Sequence, residues 1–169
     1  MSSKWQGYLD KGKEVEKRFA KVLSNPVWAT TEEDRREHWD VSGKLPDKYL
    51  TDDLDHSQLK FDVKGLKKIN RFDKGYQDEL AWIEIKNVLG WKGWVCGKAD
   101  YIVFERTDSW LLVKREDLLD LADSRSKSLG YPVGKKPYHL YNRPSRKDKL
   151  TLVPFSDMMS LTSVINIPF

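Results

Sequence analysis

The chain has 169 residues, 39% hydrophobic and 33% charged, with a formal net charge of +4; that is enough for one good core, short for two, and compatible with an anionic partner without demanding one. No apolar run approaches the roughly 20 residues of a membrane span, and the N-terminal stretch lacks a signal-peptide h-region. The single Cys96 excludes an internal disulfide and any cysteine-rich zinc site, so a reducing, intracellular (cytoplasmic) setting without membrane partners is expected.

In chain order, the spacing of Val15, Phe19, Val22 and Leu23 predicts a helix from Leu9 to Ser24, stopped by Asn25-Pro26. Its apolar stripe centres near Phe19 and places Glu16 on the flank, with Glu14 turned further toward solvent. Residues 30–37 read as a charged approach to a short strand, Glu37 to Val41. Residues 42–57, with Gly43, Pro46, Asp47, Asp52, Asp53 and Asp55, read as loop or hairpin tip. Strands are expected at Leu59–Leu66, Leu80–Val88, Ala99–Phe104 and Trp110–Val113. Gly90, Gly93 and Gly97 leave little room for a long crossover helix between the second and third of these. A helix over Arg115–Ser126, a hairpin of Tyr138–Tyr141 with Leu150–Val153, and a short helix over Phe155–Leu161 complete the pattern. The fold class expected is α/β (α+β): one domain over residues 1–169 with a central mixed β-sheet flanked by helices. Its core would span about residues 12–125, and the basic hairpin and C-terminal helix about 135–169.

The chemistry concentrates at Lys60-Phe61-Asp62-Val63-Lys64-Gly65, where apolar and charged residues alternate as in a half-buried strand. Asp62 and Lys64 then project from one face. Asp40, in the run His38-Trp39-Asp40-Val41, adds a second acid, and Glu16 a third. Hydrolysis of a phosphodiester needs neutralised phosphoryl oxygens, an activated water and a stabilised leaving oxygen, all of which Mg²⁺ can supply. Mg²⁺ takes carboxylate and water oxygens. Glu16, Asp40 and Asp62 are such ligands where the fold converges them, with the Val63 carbonyl as a further candidate and Mn²⁺ as a substitute ion. Lys64 would orient the water and stabilise developing negative charge.

These residues carry a resemblance. Gly12 through Leu23 with Glu16, then Trp39-Asp40-Val41, then Phe61-Asp62-Val63-Lys64, resemble the PD-(D/E)xK nuclease superfamily. The helix looks like that of archaeal Holliday junction resolvases, in which a glutamate joins the metal site. The later run Trp82, Glu84, Lys86, Asn87, Gly93, Trp94, Gly97, Asp100 and Tyr101 looks like a segment of phage-type members. The resemblance covers roughly residues 12–105. It implies a restriction-endonuclease-like core, metal-ligand roles for Glu16, Asp40 and Asp62, and the catalytic lysine role for Lys64. It also implies an endonuclease acting on branched or site-specific duplex DNA, phage-encoded and working inside a host cell. Cutting two strands as a resolvase does would call for a homodimer. Trp39 stands where the superfamily has proline. A second register remains open, with Asp62 as first acid and Glu84-x-Lys86 as the second motif; in the favoured register Glu84 lies on the strand adjoining Asp62 as a supplementary ligand.

Other constellations carry less. His38, His56 and His139 are scattered, and no G-x-x-x-x-G-K-[ST] loop exists for ATP. Basic residues gather at Lys67, Lys68 and Arg71, and again at Arg143, Arg146, Lys147 and Lys149, as candidate DNA-phosphate contacts. Among the tryptophans, Trp91 and Trp94 in the Gly-rich loop stand out from residues expected in the core. The reading is a Mg²⁺-dependent deoxyribonuclease; a nucleic-acid-binding module that keeps the fold without cutting is the alternative.

Overall fold

β3 (Leu59–Lys64) is buried at Phe61, Asp62 and Val63 in succession, as befits a strand with a neighbour on either side. The computed structural model describes residues 3–51, 58–70, 72–127 and 134–169. His56, Arg71 and the acids Asp52, Asp53 and Asp55 lie outside the described residues. The protein is mixed α+β, and the chain divides into two compact units interleaved in sequence.

The first unit takes in the chain up to Gly65, Lys98–Leu112 and Ile165–Phe169. It holds α1 (Ser3–Ala20), β1 (Ser24–Trp28), α2 (Thr31–Glu37), β2 (Val41–Lys44) and β3. β5 (Tyr101–Glu105), most of β6 (Ser109–Lys114) and β8 (Ile165–Pro168) complete it. Its described strands form a mixed sheet in the order β1-β2-β3-β5-β6-β8. β2 runs antiparallel to β3, pairing Val41 with Phe61, whereas β5 runs parallel to β3, pairing Phe61 with Tyr101. A parallel pair needs a long connection. The described residues between these two strands contain no α-helix, only strand β4 (Leu80–Lys86) and a 3₁₀ turn at Trp94–Cys96, as the glycines there predict.

α1 seats on the sheet through Phe19, whose ring is fully buried and meets Phe61 and Trp110 edge-on at 5.2 and 5.4 Å. Phe61 in turn stacks on Tyr101. Arg18, one residue earlier, pairs at 2.6 Å with Glu105 at the end of β5. The helix stops at Ala20, not Ser24, because residues from Ser24 onward leave to make β1. That strand tolerates Pro26 and a left-handed Asn25 because it is an edge strand, where proline costs no ladder bond.

The charged approach over residues 30–37 is a helix. Thr30 and Glu33 close a capping box, with the Thr30 hydroxyl accepting the Glu33 N–H and the Glu33 carboxylate accepting the Thr30 N–H at 2.8 Å. Thr30→Ala is therefore expected to cost about 1 kcal/mol. In a domain this size that is a fall in Tm of about 2–4 °C, read by calorimetry.

The second unit comprises Leu66–Gly97 and Val113–Val164. Its β4 pairs antiparallel with β7 (Lys149–Pro154), matching Trp82 to Leu152 and Glu84 to Leu150. The expected pairing of Tyr138–Tyr141 with the later strand is present in short form: the Tyr138 N–H donates to the Leu152 carbonyl at 2.8 Å, and Tyr141 and Leu150 exchange two backbone bonds, while β7 also takes β4 as a partner. α3 (Arg115–Arg125) buries Leu118, Leu121 and Ala122, and α4 (Phe155–Met159) buries Phe155 and Met158. Gly93 allows the chain to pass against β4: a Cβ there would lie 2.3 Å from the Glu84 carbonyl oxygen. No helix among the described residues is long and apolar enough to cross a membrane.

Candidate active site

Backbone register brings the acids together. β2 meets β3 with Val41 opposite Phe61 and Ser42 opposite Lys60, so one further step sets Asp40 opposite Asp62. The Asp40 N–H donates to the Phe61 carbonyl at 2.8 Å, and the Asp40 carbonyl accepts the Ala29 N–H at 2.9 Å. Asp40 thus sits just ahead of β2, held by the sheet on both sides. His38 makes this possible by ending α2 in the left-handed conformation (φ 55°). Trp39 is buried and donates its indole N–H to Glu37, with the Lys60 ammonium over its ring. Glu37 also pairs with Lys98 at 3.0 Å, and that hydrogen bond first, then Trp39's, keeps its carboxyl below the usual range.

Asp62 is 2% exposed. Its Oδ1 lies 2.6 Å from the Lys64 ammonium, the same-face contact that strand alternation predicts. Its Oδ2 is buried and has no hydrogen-bond partner among the described residues. The Asp40 Oδ2 accepts the Val63 N–H at 2.7 Å, so the Val63 backbone fixes one acid while carrying the strand that presents the other. Glu16 reaches toward them from α1, half-buried, whereas Glu14 pairs with Lys17 in solvent.

Burial makes these carboxyls reluctant to ionise. Glu16 is pushed up to about 7, first by desolvation and then by the charges of Asp40 and Asp34, against Lys64 and Lys13. Asp40 is pushed up to about 7 by desolvation and then by Asp62, against Lys64 and the Val63 N–H. Asp62 is raised by its burial, with Lys64 opposing. Asp34, on α2, has no place in the motif reading. Its charge nevertheless raises both Glu16 and Asp62. The readable signal was the Thr30-x-x-Glu33 pattern, which makes the α2 helix that carries Asp34.

Comparison with known protein families, curated proteins and solved structures finds no match. Function therefore rests on this geometry. Among the described residues, no three or more His, Cys, Asp or Glu side chains are gathered closely enough to form a metal cage. Mg²⁺ does not require one: it keeps several waters and binds through one or two carboxylates plus substrate phosphate. An all-oxygen donor set with an unpartnered buried carboxylate oxygen beside a second carboxyl fits such an ion.

Several sequence expectations move. Glu84 does not lie on a strand adjoining Asp62, because the neighbours of β3 are β2 and β5, and β4 pairs with β7. Glu84 and Lys86 belong to the second unit, whereas Glu16, Asp40, Asp62 and Lys64 share the first. Of the basic residues, the Lys68 ammonium donates to the Asp73 carbonyl at 2.7 Å, and Lys67 is exposed. Arg143 is tied by its guanidinium and backbone N–H to the buried Asp148, so it shapes its turn, leaving Arg146 and Lys147 exposed. His38 serves as a helix cap.

Proposed function

We propose that the chain is a divalent-metal-dependent deoxyribonuclease of PD-(D/E)xK type, built on a restriction-endonuclease-like core and acting as an endonuclease within the cell. The observation that carries this is the Asp62 carboxylate: one oxygen on Lys64, the other buried, unpartnered and adjacent to Asp40. A buried acceptor left unmade costs about 1–3 kcal/mol, a cost that a ligand at that oxygen would remove.

Asp40 and Asp62 would hold Mg²⁺ or Mn²⁺, with Glu16 and the Val63 carbonyl as the remaining protein oxygens. The bound ion would supply charge neutralisation at the scissile phosphate and acidify a water. Lys64 favours the ionised form of Asp62, against burial, and places a cation where negative charge develops. The Val63 N–H favours the ionised form of Asp40. A pair of such sites in a homodimer would cut both strands of a duplex or junction. A second reading, a module on the same fold that binds nucleic acid without cutting, is favoured by the absence of a tight three-ligand group among the described residues.

Cleavage of duplex, branched and single-stranded DNA, with Mg²⁺, with Mn²⁺ and with chelator, separates the two. Wild type should cut only with metal, and Asp62→Asn should not cut. Binding with no cleavage under any metal selects the second reading.

A further inference from the structure

The second unit carries a contact surface of its own. β4 ends in a turn that Asn87 organises: its side-chain oxygen accepts the N–H of Leu89 at 3.0 Å and of Trp91 at 3.1 Å, and its own N–H donates to the Trp91 carbonyl. Gly90 takes φ +83° at the bend. The returning chain then bridges Lys92 to Lys86, and on its other side Lys86 pairs with Lys149 of β7. Lys86 therefore has a lysine across from it on either side, with the register broken between Glu84 and Lys86. Like charges paired across a ladder repel. None of the three makes an ion pair among the described residues.

Beside these lysines, the Lys147 side chain packs over Gly90, and its N–H donates to the Val88 carbonyl at 3.2 Å. The turn that bears it is pinned by Arg143 on buried Asp148, which removes that turn's one acid from the surface. Trp91, next to Lys92, is 72% exposed and the most open tryptophan among the described side chains. A hydrogen-bonded turn thus presents an indole to water, and the lysines that flank it in the turn and the adjoining strands make no ion pair among the described residues.

We propose that this turn and the strand ends beside it bind single-stranded nucleic acid, with Lys86, Lys92, Lys147 and Lys149 on its phosphates and Trp91 stacked on an unpaired base. The lysines suit any polyanion, but an aromatic face has stacking to offer only to a base outside a duplex. Naming DNA as the polymer rests on the nuclease reading above. The surface then narrows the substrate to DNA with an unpaired segment at a branch, flap or gap.

The test uses the full chain in EDTA, so that no cleavage intervenes, and the anisotropy of labelled oligothymidine and of a duplex of equal length. Wild type should prefer the single strand. Trp91→Ala should weaken that binding by about fivefold to a hundredfold, leave duplex binding nearly unchanged and abolish the preference; Trp91→Phe should restore much of it. Lys86→Ala and Lys149→Ala should each flatten the salt slope by about 0.7 for every phosphate left without its lysine. Trp91→Ala binding like wild type overturns the proposal. So does polyglutamate displacing the oligonucleotide as well as unlabelled DNA of equal charge does. The nuclease reading fails separately: Trp91-dependent binding without metal-dependent cleavage sinks that reading and leaves this surface standing, and the converse result does the reverse.

Discussion

Lys64→Ala should lower kcat for DNA cleavage by about 10²–10³, the usual effect of removing one group that stabilises charge developing in the transition state. The ammonium sits 2.6 Å from Asp62 Oδ1, so its loss strikes twice: Asp62 keeps its proton more tightly, and the phosphoryl oxygens lose a cation. Lys86→Ala should instead act mainly on KM, because Lys86 lies on β4 in the second unit, with Lys92 and Lys149 across from it. A loss shared by ground and transition states raises KM and spares kcat. Steady-state kinetics on both variants with Mg²⁺ measure the split. A collapse of kcat in Lys86→Ala with Lys64→Ala left active would reverse the assignment and make Glu84-x-Lys86 the catalytic motif.

The part of the site that the sequence announced is the part made by local alternation. Asp62 and Lys64 lie two apart on one strand, so their contact follows from strand geometry wherever β3 is placed. Phe19 was legible for the same reason, as the middle of a helical stripe, and Glu16 followed as its flank. Asp40 was legible only as an acid near an apolar run. Its actual position, one residue ahead of β2 and opposite Asp62, is a product of antiparallel register with β3, which no local pattern encodes. Ahead of Asp40, the buried Trp39 indole anchors the turn through Glu37, a contact not legible in the sequence.

What stayed hidden was set by pairing at a distance. β1 reads as a helix stop because it contains Asn25 and Pro26, and it exists because β2 offers it an edge. β8 is four residues long and gains its identity from β6, where Ile167 pairs with Trp110 and is buried. β7 bonds to the expected hairpin partner nearby in sequence, Tyr138 and Tyr141, but its long pairing is with β4, which no local pattern encodes. α2 is different, since the Thr30 and Glu33 capping box was present in the residues and could have been read. With it comes Asp34, the acid no motif contained, whose charge bears on Glu16 and Asp62.

Metal and pH should act on stability in opposite directions, and together they report on the site without any substrate. Glu16 and Asp40 have ordinary values of 4.5 and 3.8 and are pushed up to about 7 in the folded protein. Well below pH 3.8 both carboxyls are protonated whether the chain is folded or not, so they contribute nothing to the pH dependence there. Between about 4 and 7 the unfolded chain releases protons that the folded chain keeps, and stability must fall as pH rises. Above about 7 that loss is complete. Metal-free protein should accordingly melt lower at pH 8 than at pH 5. Mg²⁺ or Mn²⁺ needs the deprotonated acids, so its stabilising effect should be largest at pH 8 and shrink at pH 5. At a hundredfold excess over Kd it contributes about 2.7 kcal/mol, or roughly 5–11 °C in Tm for a domain of this length. Asp40→Asn is the informative variant. Its amide oxygen can still accept the Val63 N–H, and the Lys64–Asp62 pair stays whole, whereas Asp62→Asn would strand the lysine. Asp40→Asn should lose most of the metal shift, flatten the pH dependence, and melt no lower than wild type at pH 8 without metal. Should metal leave wild type unmoved while Asp40→Asn destabilises it by a few kcal/mol, Asp40 is a buried structural acid, and the metal-dependent reading loses its second ligand.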